Sequence, residues 1–301
     1  IQGLASAFVG MIPAPILLGN WFYRKTGTAI GISAAFSGLG GMLGSSALGI
    51  LIPTYGWKAS YMLMGVVVMA LILPFSIFVL RYRPEEKGML PYGADESYAA
   101  KAGEKKAAKK EKFSDFAKQP IFYVSLIAYA CTIIGAYLNS FLPSCGLQAG
   151  LSMAAAAMLT SMALCGNMTS KLFLGKLCDS FGVIKVFILS ILIAVFGHAL
   201  VLAGSAVPMM AGALLYGITM PLSTVLMPMF CRLFWKGDTY ASAYSYVSMF
   251  GMLISAPFNS LFGTLYDKTG NYNMTILFSA FSVLVVLIMV VLSKFVVKQE
   301  D

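Results

Sequence analysis

The chain alternates between long apolar runs and short polar connections. Nine of the runs are about 20 residues long, which is the length that crosses a bilayer as an α-helix. Pro221, Pro228 and Pro257 lie inside these runs and predict kinks or broken turns. The pattern predicts an all-α membrane protein. The predicted spans are 1–20, 29–52, 59–80, 121–143, 153–175, 184–204, 207–230, 242–263 and 274–297.

Composition supports this interpretation, since apolar residues make up 59% of the chain, charged residues 11%, and the mean hydropathy is +0.82. The basic residues that give the net charge of +9 lie between apolar runs and not on a polar surface. We therefore expect a lipid bilayer as the partner and no nucleic acid. The five cysteines show no CxxC spacing. Neither a metal site, a disulfide framework nor a cofactor is therefore predicted.

The distribution of Lys and Arg predicts the orientation of the spans. If Arg24 and Lys25 are cytoplasmic, 18 of the 21 basic residues lie on that side. Lys58 and Lys268 then lie outside, and Lys171 lies within a span. Because cytoplasmic loops carry an excess of basic residues, we expect a multi-pass protein of the plasma membrane with a cytoplasmic C terminus.

The connection from Arg81 to Gln119 holds ten basic and seven acidic residues and divides the chain. Three spans precede it in residues 1–82, the cytoplasmic loop is 83–119, and six spans follow in 120–301. The second half of the loop is rich in Lys and helix formers. It is either a helix on the cytoplasmic membrane surface or a solvated linker.

Five stretches of the sequence resemble the major facilitator superfamily, and the resemblance extends over nearly the whole chain. Within that superfamily the chain is most similar to the branch of oxalate/formate antiporters and monocarboxylate transporters. The stretches are NWFYRKTGTAIGISAAFSGLGGMLG, YGWKASYMLMG, RYRPEEKGMLPYGADE, GNMTSKLFLGKLCDSFG and LFGTLYDKTGNY.

The resemblance implies a twelve-helix fold in which two six-helix bundles enclose a central cavity. The nine spans would be the last nine of the twelve. The C-terminal six-helix bundle would then be complete, and the N-terminal bundle would contain three of its six helices. Two interpretations of the nine spans are open. The chain is either a partial sequence or a genuine nine-span protein.

Lys171 is the cation within a predicted span, and the nine spans contain no Asp or Glu. Because a bare charge in hydrocarbon is costly, Lys171 is a candidate anchor for a substrate anion. The alternative is that its ammonium group extends to the membrane interface. The resemblance implies that Lys171 replaces an Arg that contacts the substrate carboxylate. In the same branch, dicarboxylate exchangers carry a second cation in the span that matches 242–263. This sequence has no cation there, which favours a monocarboxylate over oxalate.

Polar residues recur at helical spacing on three spans, which predicts faces that line a wet cavity. Alternatively, Ser and Thr bond to carbonyls of their own helix, and Asn joins neighbouring helices. The faces are Ser125, Tyr129, Thr132 and Asn139; Thr160, Asn167 and Lys171; and Tyr244, Ser248, Ser255 and Asn259. The residues expected to bind the substrate are Lys171, Asn167, Tyr129, Asn139, Tyr244 and Asn259.

Lys176 and Asp179 match a loop signature of the family, a glycine followed four residues later by an acid. The resemblance implies a cytoplasmic gate in which Asp179 faces the N terminus of the span that begins near Thr28. The helix dipole and Arg24 or Lys25 would favour an anion there. The alternative is a solvated loop charge.

These patterns predict a secondary transporter that moves a small organic anion by alternating access. The alternatives are a transporter of a neutral or cationic solute and a non-transporting sensor or assembly partner. His198, the single histidine, is either a proton carrier or a packed, hydrogen-bonded residue. No combination of nucleophile, base and acid is present, so an enzyme is not predicted. The sequence does not predict an oligomeric state.

Overall fold

The computed structural model describes residues 13–94 and 113–297, which form helices and short connections. Phe22 and Tyr92 form one isolated parallel β-bridge. The described part is otherwise helical, as predicted. Its helices are α1 Pro13–Trp21, α2 Thr26–Pro74, α3 Phe113–Phe116, α4 Pro120–Ala136, α5 Leu142–Gln148, α6 Met153–Phe181, α7 Val183–Leu202, α8 Ala206–Tyr216, α9 Thr219–Pro221, α10 Met227–Phe234, α11 Asp238–Thr269 and α12 Asn273–Val297.

Two of the predictions concern residues outside the described part of the chain. The proposed surface helix or linker falls mainly on residues 95–112, and the first predicted span includes residues 1–12.

Five helical segments within the described residues are long and apolar enough to cross a membrane. Helices α6 and α11 have 29 and 32 residues, which is also sufficient length, but they are more polar. The prediction of several membrane-spanning helices is confirmed, whereas the number nine is not established by length and composition. The five segments are Leu51–Val79, Pro120–Ser140, Val183–Leu202, Ala206–Phe234 and Asn273–Val296.

Helix α2 is interrupted at Gly56, whose φ of 76° and ψ of 162° are outside the helical region. A Cβ on Gly44 would lie 3.6 Å from Met64 Cε. A straight helix would separate residues 44 and 64 by about 30 Å, so the chain must fold back at Gly56. The two arms correspond to the predicted spans 29–52 and 59–80.

Two other predicted spans are helices with a break. Helix α4 ends at Ala136 and continues as a 3₁₀ turn, Tyr137–Ser140. In the segment Ala206–Phe234, Pro221 and Pro228 flank a π-helical turn, Leu222–Leu226. Pro257, in contrast, lies inside α11, which continues past it as one helix.

Among the described residues, the buried apolar side chains form two clusters, one toward each end of the helices. The first joins α4, α7, α10, α11 and α12, and the second lies around α5, where the chain enters α6. Large buried side chains of the first are Phe122, Phe187, Phe230 and Tyr244; those of the second are Leu142, Leu159, Tyr216 and Phe262.

Glycines bring several helix pairs into backbone contact. A Cβ on Gly175 of α6 would overlap the carbonyl oxygen of Gly27 in α2, and one on Gly166 would overlap the carbonyl oxygen of Leu214 in α8. Small residues allow such close approach between membrane helices, where van der Waals packing drives association. The contact between Gly27 and Gly175 sets the position of α2 on α6.

We predict that Gly175→Ala destabilises the protein by about 1 to 3 kcal/mol, because its Cβ has backbone as its neighbour. Gly263→Ala is the matched control, since a Cβ at this helical position has open space around it. Thermal unfolding in detergent compares the two variants. Equal melting temperatures would contradict the close backbone contact between α2 and α6.

Candidate functional site

Helix α6 carries the predicted anion anchor, Lys171, and the predicted gate, Asp179. The sequence predicted a loop at Lys176 and Asp179. This prediction is wrong, because α6 continues to Phe181 and both residues lie on the helix. The helix has no breaker until Gly182, whose φ of 86° ends it. Lys171 and Asp179 therefore lie about 12 Å apart along one helix.

The Asp179 carboxylate binds the N terminus of α2. Oδ1 accepts a hydrogen bond of 2.9 Å from the Gly27 amide, and Oδ2 accepts one of 2.8 Å from the Thr28 amide. The Thr28 hydroxyl donates a third bond of 2.7 Å to Oδ2. The first amides of a helix have no partner within the helix and carry the positive end of its dipole. Asp179 satisfies two of these donors with the appropriate charge.

The same stripe of α6 touches α2 at three successive turns. Lys171, Gly175 and Asp179 are spaced by four residues and so lie on one side of the helix. A Cβ on Gly31 would lie 2.5 Å from the Lys171 carbonyl oxygen, and a Cβ on Gly27 would lie 2.5 Å from that of Gly175. The predicted anchor and the predicted gate therefore adjoin the same two turns of α2.

The Lys171 side chain is buried, with 5% of its surface exposed. Among the residues that the structure describes, Lys171 makes no hydrogen bond or ion pair through its ammonium group. A buried charge without a partner is costly. The environment of Lys171 therefore favours an anion as a ligand.

The other predicted gating residues are exposed. Lys176 is exposed, as Asp179 itself is. Lys25 caps α2 in the left-handed conformation, with a φ of 59°. The aliphatic part of Arg24 packs against Gly93, since a Cβ on Gly93 would lie 2.8 Å from Arg24 Cβ. The hydrogen bonds that hold the Asp179 carboxylate come from two amides and a hydroxyl of α2.

Several polar atoms on the predicted faces are buried without a hydrogen-bond partner among the described residues. Two belong to the face of Lys171, namely Thr160 Oγ1 and Asn167 Oδ1. Three more are Ser125 Oγ on α4, Asn139 Oδ1 at the 3₁₀ turn after α4, and the Tyr244 hydroxyl on α11. Thr219 Oγ1, on α9, is a similar atom outside these faces. Because native proteins pair almost all buried polar atoms, such atoms indicate groups that bind water or a ligand.

Three other hydroxyls on the predicted faces have hydrogen-bond partners in the structure. Hydroxyls of Thr132, Ser248 and Ser255 donate to carbonyls of their own helices, as the alternative interpretation expected. Tyr129 and Tyr244 pack edge to face in the apolar interior, with ring centroids 6.4 Å apart.

The predicted substrate residues do not all converge. Tyr129 and Tyr244 contact each other, and Lys171 and Asn167 share one face of α6. Asn259, in contrast, is exposed on α11.

His198 is fully buried in a hydrogen-bonded network that the sequence did not reveal. Its Nδ1 donates to the Ala194 carbonyl at 2.7 Å, and its Nε2 lies 2.8 Å from Ser279 Oγ. Ser279 and Tyr216 both bond to the Gly135 carbonyl, at 2.8 and 3.1 Å. This carbonyl belongs to the last turn of α4, where helical bonding stops. His198 thus has the surroundings of a packed, hydrogen-bonded residue.

A cavity of about 220 Å³ lies at the end of the helices opposite to Asp179. It is lined by α5 and by the turns between α7 and α8 and between α11 and α12, including Gln148, Gly204 and Tyr272. Gln148 crosses between these elements, because its Oε1 accepts from the Tyr272 amide at 2.7 Å. None of the predicted substrate residues lines this cavity.

Arg232, one of the 18 basic residues counted on the cytoplasmic side, has a structural role that the sequence did not indicate. Arg232 lies in the last turn of α10 and donates from Nη2 to the Gly19 carbonyl at 2.7 Å. The pairing joins residues more than 200 positions apart, so no local pattern marks it. The described residues contain no group of three His, Cys, Asp or Glu side chains that could hold a metal ion.

Comparison with known proteins bears on this arrangement of helices. A benzoate transport protein from Acinetobacter baylyi is 26% identical over an alignment of 196 residues, which covers 58% of this chain and 42% of that relative. The chain therefore matches less than half of the relative's length. The family model of the Major Facilitator Superfamily matches residues 1–249. Together with the apolar helices, this match shows that the chain is an integral, multi-pass membrane protein that belongs to the Major Facilitator Superfamily.

Proposed function

We propose that the chain forms the substrate-binding and gating part of a secondary transporter for a small organic monocarboxylate. The observation that carries this proposal is the buried Lys171, which has no acidic partner among the described residues. A bound carboxylate would compensate the charge of Lys171, and the pair would be neutral during transport.

The chemistry of Lys171 supports a substrate with a single carboxylate. An ammonium group is a point charge, unlike the planar fork of Arg that binds a carboxylate through two hydrogen bonds. The span 242–263 contains no second cation for another carboxylate. Benzoate, after which the relative is named, is a monocarboxylate at neutral pH. An aromatic or short aliphatic monocarboxylate is therefore the substrate class we propose.

The remaining contacts would come from polar groups without a protein partner. Asn167 and Thr160 lie on the face of Lys171, and Asn139 lies where α4 breaks. A carboxylate only accepts hydrogen bonds, so it would bind the Nδ2 groups of the two Asn side chains and the Thr160 hydroxyl. Tyr129, Tyr244 and Asn259 would complete the predicted set. Tyr129 and Tyr244 are packed on each other in this structure, so they would contact the substrate only after α4 and α11 move apart.

Transport would proceed by alternating access of two helical bundles, with residues 1–82 in one and 120–301 in the other. The nine proposed spans, with a cytoplasmic C terminus in the plasma membrane, would place Asp179 at the cytoplasmic face. There its bonds to Gly27 and Thr28 would close the gate, and Lys176, Arg24 and Lys25 would line it. Exchange of two carboxylates across the membrane, as in an antiporter, would fit a single cationic site.

We predict that Lys171→Ala abolishes uptake of labelled benzoate by the full-length protein, because the substrate loses its counter-charge. Lys171→Arg keeps the charge and should retain part of the uptake. The measurement is uptake into proteoliposomes with equal amounts of folded protein. Wild-type uptake by Lys171→Ala would overturn the proposal, and it would indicate a neutral or cationic solute. Counterflow with unlabelled benzoate tests the exchange mode.

We also predict opposite effects of Asn167→Leu on stability and transport. Asn167 Oδ1 is buried without a partner, so a similar-sized apolar side chain should leave the melting temperature of substrate-free protein unchanged or higher. Uptake should fall at least about tenfold if the Asn167 amide donates from Nδ2 to the substrate carboxylate.

Ser279→Ala is the control for this substitution. The Ser279 hydroxyl already bonds to the Gly135 carbonyl and lies beside His198, so its loss should lower the melting temperature. Unchanged uptake by Asn167→Leu would remove Asn167 from the site.

A further inference from the structure

The connection between α1 and α2 is held at both ends by charges of opposite sign. It consists of only four residues, from Phe22 to Lys25. On the α1 side, Arg232 Nη2 donates to the Gly19 carbonyl at 2.7 Å. The last carbonyls of a helix lack partners within the helix and carry the negative end of its dipole. The Arg232 guanidinium therefore matches the end of α1 in both charge and hydrogen bonding.

On the α2 side, Asp179 matches the opposite end of a dipole. Its carboxylate accepts the amides of Gly27 and Thr28, at 2.9 and 2.8 Å. Arg232 lies on α10 and Asp179 on α6, so the two charges reach the connection from different helices. Glycine permits each approach, because a Cβ on Gly19 would lie 2.7 Å from Arg232 Nη1 and one on Gly27 would lie 2.7 Å from Asp179 Oδ1.

Between the two held ends, the backbone adopts an unfavourable conformation. Lys25 has a φ of 59°, and it is the non-glycine residue with a positive φ in the described part of the chain. A side chain with a Cβ occupies the left-handed region at a cost. Such a conformation persists where its surroundings determine it more than once. The bonds made by Arg232 and Asp179 are two such determinants.

A third contact fixes the connection from the side of the long loop. The Tyr92 amide donates to the Trp21 carbonyl at 2.7 Å, and the Tyr92 carbonyl accepts from the Tyr23 amide at 3.0 Å. The Thr26 hydroxyl also donates to the Phe22 carbonyl. The polar backbone groups at the ends of α1 and α2 are thereby largely paired.

We propose that Arg232 and Asp179 act together as a two-ended clamp on the α1–α2 connection. The clamp holds closed the face of the transporter on which this connection lies. Arg232 is then a positioning residue with a part in gating that complements Asp179. Opening this face requires α6 and α10 to leave the connection, so both bonds break in the same step. The role in the transport cycle rests on the proposed function, whereas the clamp itself does not.

Two native cysteines allow a direct test of the clamp. Cys178 precedes Asp179, Cys231 precedes Arg232, and both thiols are buried in the closed structure. The experiment measures the rate at which a small, charged thiol reagent modifies each cysteine of the full-length protein in liposomes permeable to the reagent. Peptide mass spectrometry separates the sites. Buried Cys145, at the opposite end of the helices, reports any global unfolding.

The informative result is the effect of each substitution at the distant thiol. We expect Arg232→Gln to accelerate modification of Cys178 about tenfold, and Asp179→Asn to accelerate that of Cys231 similarly, as for the loss of a hydrogen bond to a charged group. Arg232→Lys keeps the charge and should give a smaller increase. Modification of Cys145 should stay at the wild-type rate.

The clamp would be overturned if each substitution accelerated only the adjacent thiol, since the two bonds would then break independently. Acceleration at Cys145 as well would overturn it in favour of general loosening of the fold. Because the measurement uses no substrate, failure of benzoate uptake leaves the result intact and counts only against the proposed function. If Arg232→Gln does not fold, Arg232→Lys and Asp179→Asn still give the comparison.

A pair of substitutions at Lys25 tests the contribution of the backbone. Both Lys25→Asn and Lys25→Gln replace the charge with an amide, but Asn adopts the left-handed conformation more readily. We expect modification of Cys178 and Cys231 to be about two- to fivefold slower in Lys25→Asn than in Lys25→Gln. Equal rates would show that the conformation of Lys25 does not oppose the clamp.

Discussion

Close contact between α2 and α6 is the constraint on which the arrangement of charged groups depends. Asp179 reaches the amides of Gly27 and Thr28 because neither Gly27 nor Gly175 has a side chain to separate the helices. The carboxylate then satisfies donors that the helix itself leaves unpaired. Steric fit and electrostatics thus support each other at one point, and the loss of either would weaken the contact between α2 and α6.

The same contact links the proposed substrate charge to the proposed gate. Lys171 lies two turns before Asp179 on one stripe of α6, and its carbonyl adjoins Gly31 of α2. Movement of α2 away from α6 therefore changes the surroundings of Lys171 and of Asp179 together. In the proposed cycle, a substrate anion that neutralises Lys171 would alter the stability of the interface that Asp179 closes.

Some polar side chains inside the helices make hydrogen bonds within the protein, and others have no partner there and can bind water or a ligand. Thr132, Ser248 and Ser255 bond to their own helices, and His198, Ser279 and Tyr216 surround the broken end of α4. Asn167 and Thr160 have no such partner among the described residues. The distinction matters because a paired hydroxyl contributes to stability, whereas an unpaired one costs stability unless water or a ligand binds it.

The sequence by itself determined that this is a helical membrane protein, since runs of about 20 apolar residues have few other structures. It also indicated Lys171 and Asp179, because charges are conspicuous in an apolar chain. It did not reveal that α6 extends through Asp179, that Tyr129 packs against Tyr244, or that Arg232 binds the end of α1. These features depend on which helices meet and at what distance. Tertiary structure decided them, because contacts between distant positions leave no periodic pattern in a single sequence.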